Sequence, residues 1–313
     1  MLLKNSINLS EKLFEFINNS SDLLIFCPYI KINTLKGLFE DKNNIKSVYV
    51  RWEPKDLIGG SSDIEIYPFL KERGIPLFRN PRIHLKAYLD DYFRCFLTTA
   101  NISSRALNLP PHDSYNYEIG TIVENLDFQD RLYFSMIENE SMLITDSIYL
   151  QIKEQLSNFP KEDLTQDFEL KLKNPDKAFL ISSLPLSENV EILYQIYLEQ
   201  GEHDKETVNC ALHDLALYKI PFGLNYSDFR NQLSFSFFNQ EFVKSFLKNL
   251  EFNGEIYFGS AKEWIHKNCE DVPLPRRWEI TRNIQILYRW IIDLGNGKYE
   301  VDRPNYSERL RIK

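Results

Sequence analysis

No stretch of this sequence approaches the roughly twenty consecutive apolar residues needed to span a bilayer. The opening residues, MLLKNSINLSEK, lack the apolar region and cleavage site of a secretory signal. Both absences predict a soluble, cytoplasmic chain with no membrane partner. Cysteine is scarce: Cys27, Cys95, Cys210 and Cys269 are widely spaced and form no Cys-x-x-Cys pair, so buried reduced thiols are expected in place of a zinc site. Positive charge is in deficit as well. A net charge of −8 argues against a polyanion partner unless Lys and Arg are gathered locally. Length and apolar content are not lacking, since 313 residues with 43% hydrophobic side chains suffice for two domains with substantial cores.

The chemistry is concentrated in IHLKAYLDDYFRCFLTTAN. This stretch holds His84, Lys86, Asp91, Thr99 and Asn101 in the order His-x-Lys, four residues, Asp, six residues, Thr-Thr-Ala-Asn, and Glu118 follows in NYEIG. Alternation over residues 83–89 puts Ile83, Leu85, Ala87 and Leu89 on one face of a strand and His84, Lys86 and Tyr88 on the other. Imidazole and ammonium then point into one cavity, as a nucleophile and a cation holding phosphate oxygens must. His-x-Lys by itself is uninformative, because an ordinary half-exposed strand contains it by chance. The aspartate, the second strand ending in Thr-Thr-Ala-Asn and the Asn-x-Glu-x-Gly strand behind it make chance a poor explanation.

This pattern resembles the phospholipase D superfamily motif, His-x-Lys-x4-Asp followed after six residues by Gly-Ser-x-Asn, over about residues 20–125. The resemblance implies that His84 is a nucleophile forming a phosphohistidine and that Lys86 and Asn101 hold the phosphate oxygens. It implies that Glu118 hydrogen-bonds the imidazole and fixes its tautomer. Asp91 stands as the motif aspartate, a residue more often structural than chemical, and Thr99 keeps the hydroxyl of the usual Ser. Thr98 departs from the pattern, placing a branched side chain where Gly is usual. The implied activity is a phosphodiesterase that uses neither a metal nor another cofactor.

Around the motif, helix over 10–17, strand over 23–27, helix over 33–39, strand over 47–52, helix over 63–72 and strand over 75–78 alternate, which predicts a crossover-linked α/β sheet. The motif strands, 83–89 and 93–99, are a hairpin apart, joined by Asp90-Asp91-Tyr92, so the sheet is expected to be mixed. Residues 126–158 look helical, and the polar stretch 159–178 holds the domain boundary. The expected organisation is an α/β, phospholipase D-like catalytic domain over 1–158, a mixed sheet flanked by helices, then a mainly helical domain over 176–313.

Only one copy of the motif is present. Displacement through a phosphohistidine needs a second group to protonate the leaving oxygen, a role the resemblance gives to the His of a second motif. Among His112, His203, His213 and His266, only His203-Asp204-Lys205 has the spacing, and it reads as a polar helix start with no strand after it. A two-fold homodimer in which both His84 residues meet at one site is therefore expected.

Basic residues are gathered at the end of the chain. From Arg276 to Lys313, nine basic residues face five acidic ones, leaving the remainder at −12. A smaller group near the motif, Arg51, Trp52, Arg79 and Arg82, could line the cleft, although Arg51 and Arg79 fit paired surface residues equally well. Helical periodicity over 188–199, 206–218, 240–250 and 261–267, with a short strand over 255–258, precedes a longer helix over 278–294. Its stripe is Ile280, Ile284, Leu287, Ile291 and Leu294, while Arg282, Gln285 and Arg289 share the opposite face. Gly295-Asn296-Gly297 ends it, and 298–301 and 309–313 can pair around Arg303. A helix followed by a basic hairpin matches the second half of a winged helix, in which Arg277, Arg282, Gln285, Arg289 and Arg303 would contact nucleic acid, DNA rather than RNA. An ordinary amphipathic helix in a protein-contact domain fits the same residues.

With these observations, the resemblance implies a metal-independent endonuclease, similar to those of bacterial restriction or defence systems. Two alternatives stand beside it. One is a nucleic-acid-binding or assembly subunit of a larger complex, with a vestigial site and a protein partner. The other is a phospholipase, disfavoured by the single motif and by the lack of a basic amphipathic anchor beside it.

Overall fold

The structure, a computed structural model, describes residues 2–39, 44–110, 114–158, 170–172, 179–271 and 280–313. The chain divides into two compact units, Met1–Pro175 and Asp176–Lys313. Residues 159–169 and 173–178, where the sequence places its boundary, lie outside the described residues apart from 170–172.

Unit 1 runs β1 (Leu3–Lys4), α1 (Leu9–Asn18), β2 (Leu23–Phe26), α2 (Ile32–Phe39), β3 (Ile45–Val50), α3 (Pro54–Ile58), α4 (Ile66–Glu72), β4 (Leu77–Arg79), β5 (Ala87–Asp90), β6 (Arg94–Thr98), β7 (Ile119–Val123), α5 (Phe128–Asn139), β8 (Met142–Leu143) and α6 (Asp146–Ser157). The strands form one eight-stranded mixed sheet in the order β1-β7-β6-β5-β2-β3-β4-β8. β2, β3 and β4 pair in parallel through helical crossovers, and the remaining pairs are antiparallel. β2, with the sequence LLIF, is buried along its whole length, as a continuous apolar run in a sheet covered on both faces must be. One face packs Ile25, Val48, Tyr88 and Phe96 against α1, whose Leu9, Leu13, Phe16 and Ile17 form a helical stripe. The other packs Leu24, Phe26, Ile83, Ala87 and Leu89 with Phe134 of α5.

The alternation read over 83–89 is thus present in the packing, but β5 itself begins only at Ala87. Asn80 makes a turn just before it, accepting the Arg82 N–H with its side chain and the Ile83 N–H with its carbonyl. Ladder bonding reaches back to Lys86, whose carbonyl accepts the Thr98 N–H. The hairpin loop is Asp91–Phe93, with Asp91 and Tyr92 in the left-handed region at φ 49° and 57°. The single helical stretch expected over 126–158 is two helices separated by β8. Asp127 and Thr145 cap α5 and α6 with their side chains, but a two-residue strand is too short to interrupt a periodicity visibly.

Unit 2 contains α7 (Val190–Tyr197), α8 (Lys205–Leu217), α9 (Tyr226–Asn239), α10 (Glu241–Asn253), β9 (Glu255–Tyr257), α11 (Phe258–Asn268), α12 (Thr281–Leu294), β10 (Tyr299–Asp302) and β11 (Arg309–Ile312). Helix α9 was not expected from the sequence. Its buried stripe is Phe229, Leu233 and Phe237, but Phe235, 68% exposed, sits off that stripe and blurs the periodicity. The three strands form an antiparallel sheet in the order β10-β11-β9. From α10 to β11 the succession helix, strand, helix, helix, strand, strand is the element order of a winged helix. The start of the helix read over 278–294 lies outside the described residues, which resume at Ile280. Among the described residues no helix is long and apolar enough to cross a membrane.

Candidate active site

Strand direction brings the motif together. β5 runs antiparallel to both β2 and β6, and β6 antiparallel to β7. The start of β5, the end of β6, the start of β7 and the end of β2 therefore lie at one end of the sheet. His84 and Lys86 lead into β5, Thr98 and Thr99 end β6, Glu118 precedes β7, and Cys27 follows β2. The parallel strands β3 and β4 also end there, so this is the edge where open α/β sheets place ligands.

His84 is exposed, and among the described residues its imidazole has no hydrogen-bond partner. Lys86 Nζ donates to the His84 backbone carbonyl at 3.1 Å, which folds the ammonium back toward the residue 84 backbone. Asn101 is held by the segment after β2: Ile102 exchanges backbone hydrogen bonds with Tyr29 and Lys31, and Asn101 Oδ1 lies 3.8 Å from Cys27 Sγ. Burial pushes the Cys27 thiol up to about 11, which keeps it protonated as a weak S–H donor, while the nearby Lys86 charge pulls the other way. This buried thiol meets the expectation for cysteine, and its place beside Asn101 and Lys86 was not legible in the sequence.

The resemblance gives Glu118 to the imidazole. In the structure its carboxylate is hydrogen-bonded by the Thr99 hydroxyl and, at 3.2 Å, by Asn116 Nδ2. Thr99 is thus a support for Glu118, and its hydroxyl also accepts the Ile119 N–H at 3.0 Å. Thr98, at the usual Gly position, is accommodated by bonding locally: its hydroxyl donates to the Ile119 carbonyl at 2.8 Å and accepts the Ala100 N–H at 3.0 Å. The close approach falls to Gly120 instead, where a Cβ would stand 3.0 Å from the Leu97 carbonyl. Asn5, only 5% exposed, secures the segment from the far end of the chain. It donates its backbone N–H to the Glu118 carbonyl at 3.2 Å, accepts the Glu118 N–H with Oδ1 at 3.3 Å, and donates Nδ2 to the Ala106 and Asn116 carbonyls. No sequence signal marks a contact made across more than a hundred residues.

Three expectations need correction. Asp91 lies in the hairpin turn at the opposite end of β5, about 16 Å from Lys86 at roughly 3.3 Å per extended residue, so it leaves the catalytic set. Its left-handed φ suits an Asp in a tight turn. Arg51 is not a free cation in the cleft: it grips buried Asp56 with two bonds, Nε at 2.8 Å and Nη2 at 2.6 Å, and also donates to the Tyr29 hydroxyl. Trp52 is fully buried and offers no face for a base to stack on. Arg82, by contrast, keeps its side chain 78% exposed although it pairs with Glu140 at 3.0 Å. Replacing Arg51 with Ala leaves Asp56 buried and uncompensated, which should cost about 3 kcal/mol of stability in a urea titration. If Arg51 instead contacts substrate, that loss would be small and substrate affinity would fall.

In unit 2 the basic excess is largely consumed by acids. Of the seven basic residues in 280–313, five are ion-paired. Arg282 meets Glu206 at 2.5 Å and Glu188 at 3.6 Å, Arg309 meets Asp302 and Glu255, Arg311 meets Glu300, and Arg303 meets Glu308. Arg289 is exposed and, among the described residues, unpaired; Gln285 is half-buried on the same strip of α12. Arg277 lies outside the described residues. The concentration of charge visible in the sequence is therefore not a bare basic surface. Among the described residues no group of three or more His, Cys, Asp or Glu side chains is placed to hold a metal ion.

Comparison of the sequence with known families and with characterised proteins gives no match. Solved structures similar to this chain include the following two. One is a phospholipase D family member, Nuc from Salmonella typhimurium, with 12% identity and a TM-score of 0.36 over 47% of this chain and 99% of that one. The other is phosphatidylserine synthase from Haemophilus influenzae Rd KW20, with 14% identity and a TM-score of 0.37 over 55% of this chain and 45% of that one.

Proposed function

We propose that this chain is a metal-independent phosphodiesterase acting on nucleic acid through a phosphohistidine on His84. The observation that carries the proposal is the convergence of His84, Lys86, Thr99, Asn101 and Glu118, drawn from three strands, at one end of the sheet. The unencumbered His84 imidazole attacks phosphorus as the P–O bond to the leaving oxygen breaks, and a second acid protonates that oxygen. Water then cleaves the P–N bond, with the same second group accepting its proton. Lys86 and Asn101 hold the non-bridging oxygens as their charge develops. The single motif leaves the second acid to be supplied by His84 of another copy.

An apolar patch lies at the same end of the sheet, on the face opposite the one to which His84 and Lys86 point. Leu97 and Ile119 are 36% and 47% exposed on the face of the sheet that carries Cys95, where Phe134 and Leu126 cover the distal part only. A second copy seated there would bury this patch. Restriction or defence is the setting this chemistry fits. Incubation with labelled single- and double-stranded DNA and RNA in EDTA tests the reading, and turnover of a phospholipid with no nucleic-acid cleavage would replace it.

In the C-terminal helix and hairpin, nucleic-acid contact rests on Arg289, since its neighbour on the strip, Arg282, is paired with acids. Exposed pairs such as Arg282 with Glu206 contribute little and can be exchanged for a phosphate. Arg289→Ala should therefore weaken binding and lower the salt slope by a little under one unit, with Arg282→Ala smaller. Unchanged affinity and salt dependence in both would favour a protein partner for unit 2.

A further inference from the structure

Unit 2 contains a cleft of about 590 Å³ that the proposed chemistry does not use. One wall is the polar face of α10, with Lys244 and Lys248 one turn apart. The opposite wall is the turn after α12, which brings Asn296 and Lys298 across from them. The floor is apolar, built of Leu247, Leu294, Phe238 and Tyr299, with the last two rings stacked at 6.4 Å and 21°. Gly295 allows the wall to form: a Cβ there would stand 2.6 Å from the Tyr299 ring and 2.4 Å from the Ile291 carbonyl. Asn296 and Gly297 then take left-handed φ of 49° and 79° and turn Lys298 inward.

Three ammoniums share this cleft with one carboxylate, Glu251, in a chain whose net charge is −8. The ordinary reason for cations near a helix C-terminus is to satisfy its last carbonyls. That role is already filled, since Arg230 donates to the Asp293 carbonyl and Ser234 to the Leu294 carbonyl. Lys298 is 3.4 Å from Glu251 and Lys244 is 3.5 Å from Glu241, exposed pairs worth little, and Lys248 has no partner among the described residues. The volume falls within the range of small-molecule sites, and the half-buried Phe238 ring, backed by buried Tyr299 under a cationic rim, suits a flat ring carrying phosphates. We propose that this cleft binds a nucleotide, its ring against Phe238 and its phosphates between Lys244, Lys248 and Lys298.

Titration calorimetry of the full chain with ADP and with inorganic pyrophosphate tests this. Saturable one-site binding is expected, tighter for ADP because pyrophosphate lacks the ring. Each of Lys244→Ala, Lys248→Ala and Lys298→Ala should weaken it about tenfold, the usual effect of losing one charge-assisted contact. Lys86→Ala should leave it unchanged, which separates this cleft from the end of the sheet in unit 1. Absence of saturation, or loss of binding in Lys86→Ala with the three cleft variants unaffected, would overturn the proposal. So would competition by a single-stranded oligonucleotide whose own affinity falls with the same lysines, because the cleft would then be a strand track. Circular dichroism of these exposed-site variants confirms that each is folded.

Discussion

His84→Ala is expected to abolish cleavage of nucleic acid, while wild-type protein cleaves equally well in EDTA and in magnesium. The imidazole is the only group at this end of the sheet proposed to form a bond to phosphorus, so nothing nearby can replace it. Lys86→Ala and Asn101→Ala remove donors to the developing oxyanion and should each slow turnover by at least about a hundredfold, with folding unaffected. A smaller loss is expected for Thr99→Val, because Asn116 still holds one oxygen of Glu118. Trapping the intermediate gives an independent check: acid-quenched reactions should carry an acid-labile, base-stable phosphorus adduct on wild-type protein and none on His84→Ala. Magnesium-dependent cleavage that survives the His84 substitution would end the phosphohistidine reading.

Activity should also require two copies. If one site takes one His84 from each protomer, co-expressing equal amounts of wild-type and His84→Ala chains should leave about a quarter of the activity, because only wild-type homodimers turn over; independent sites would leave about a half. Leu97→Asp or Ile119→Asp places a charge in the apolar patch at the same end of the sheet and should yield inactive monomers with an unchanged circular dichroism spectrum. A protein that remains monomeric by light scattering at assay concentration and retains full activity would rule out the shared site.

What the sequence determined was local and periodic. Alternation over 83–89 sorted Ile83, Ala87 and Leu89 from Tyr88 onto opposite cores, since a strand's side chains must alternate whatever it pairs with. The α12 stripe and the two terminal strands were legible for the same reason, because burial of one face is written in residue spacing. Motif spacing singled out His84, Lys86, Asn101 and Glu118, as both motif strands are short and their connections local. The tertiary structure alone decided what depends on chain-distant partners. Asn5 grips Glu118 from the other end of unit 1, Cys27 meets Asn101 because β2 ends where β6 does, and Asp56 claims Arg51 for the core. The basic C-terminal segment shows this most clearly. Counting residues along the chain gives a positive segment, but Glu188, Glu206, Glu251 and Glu255 fold back onto it. The field a partner meets is set by distances through space, which charge counted along a sequence does not contain.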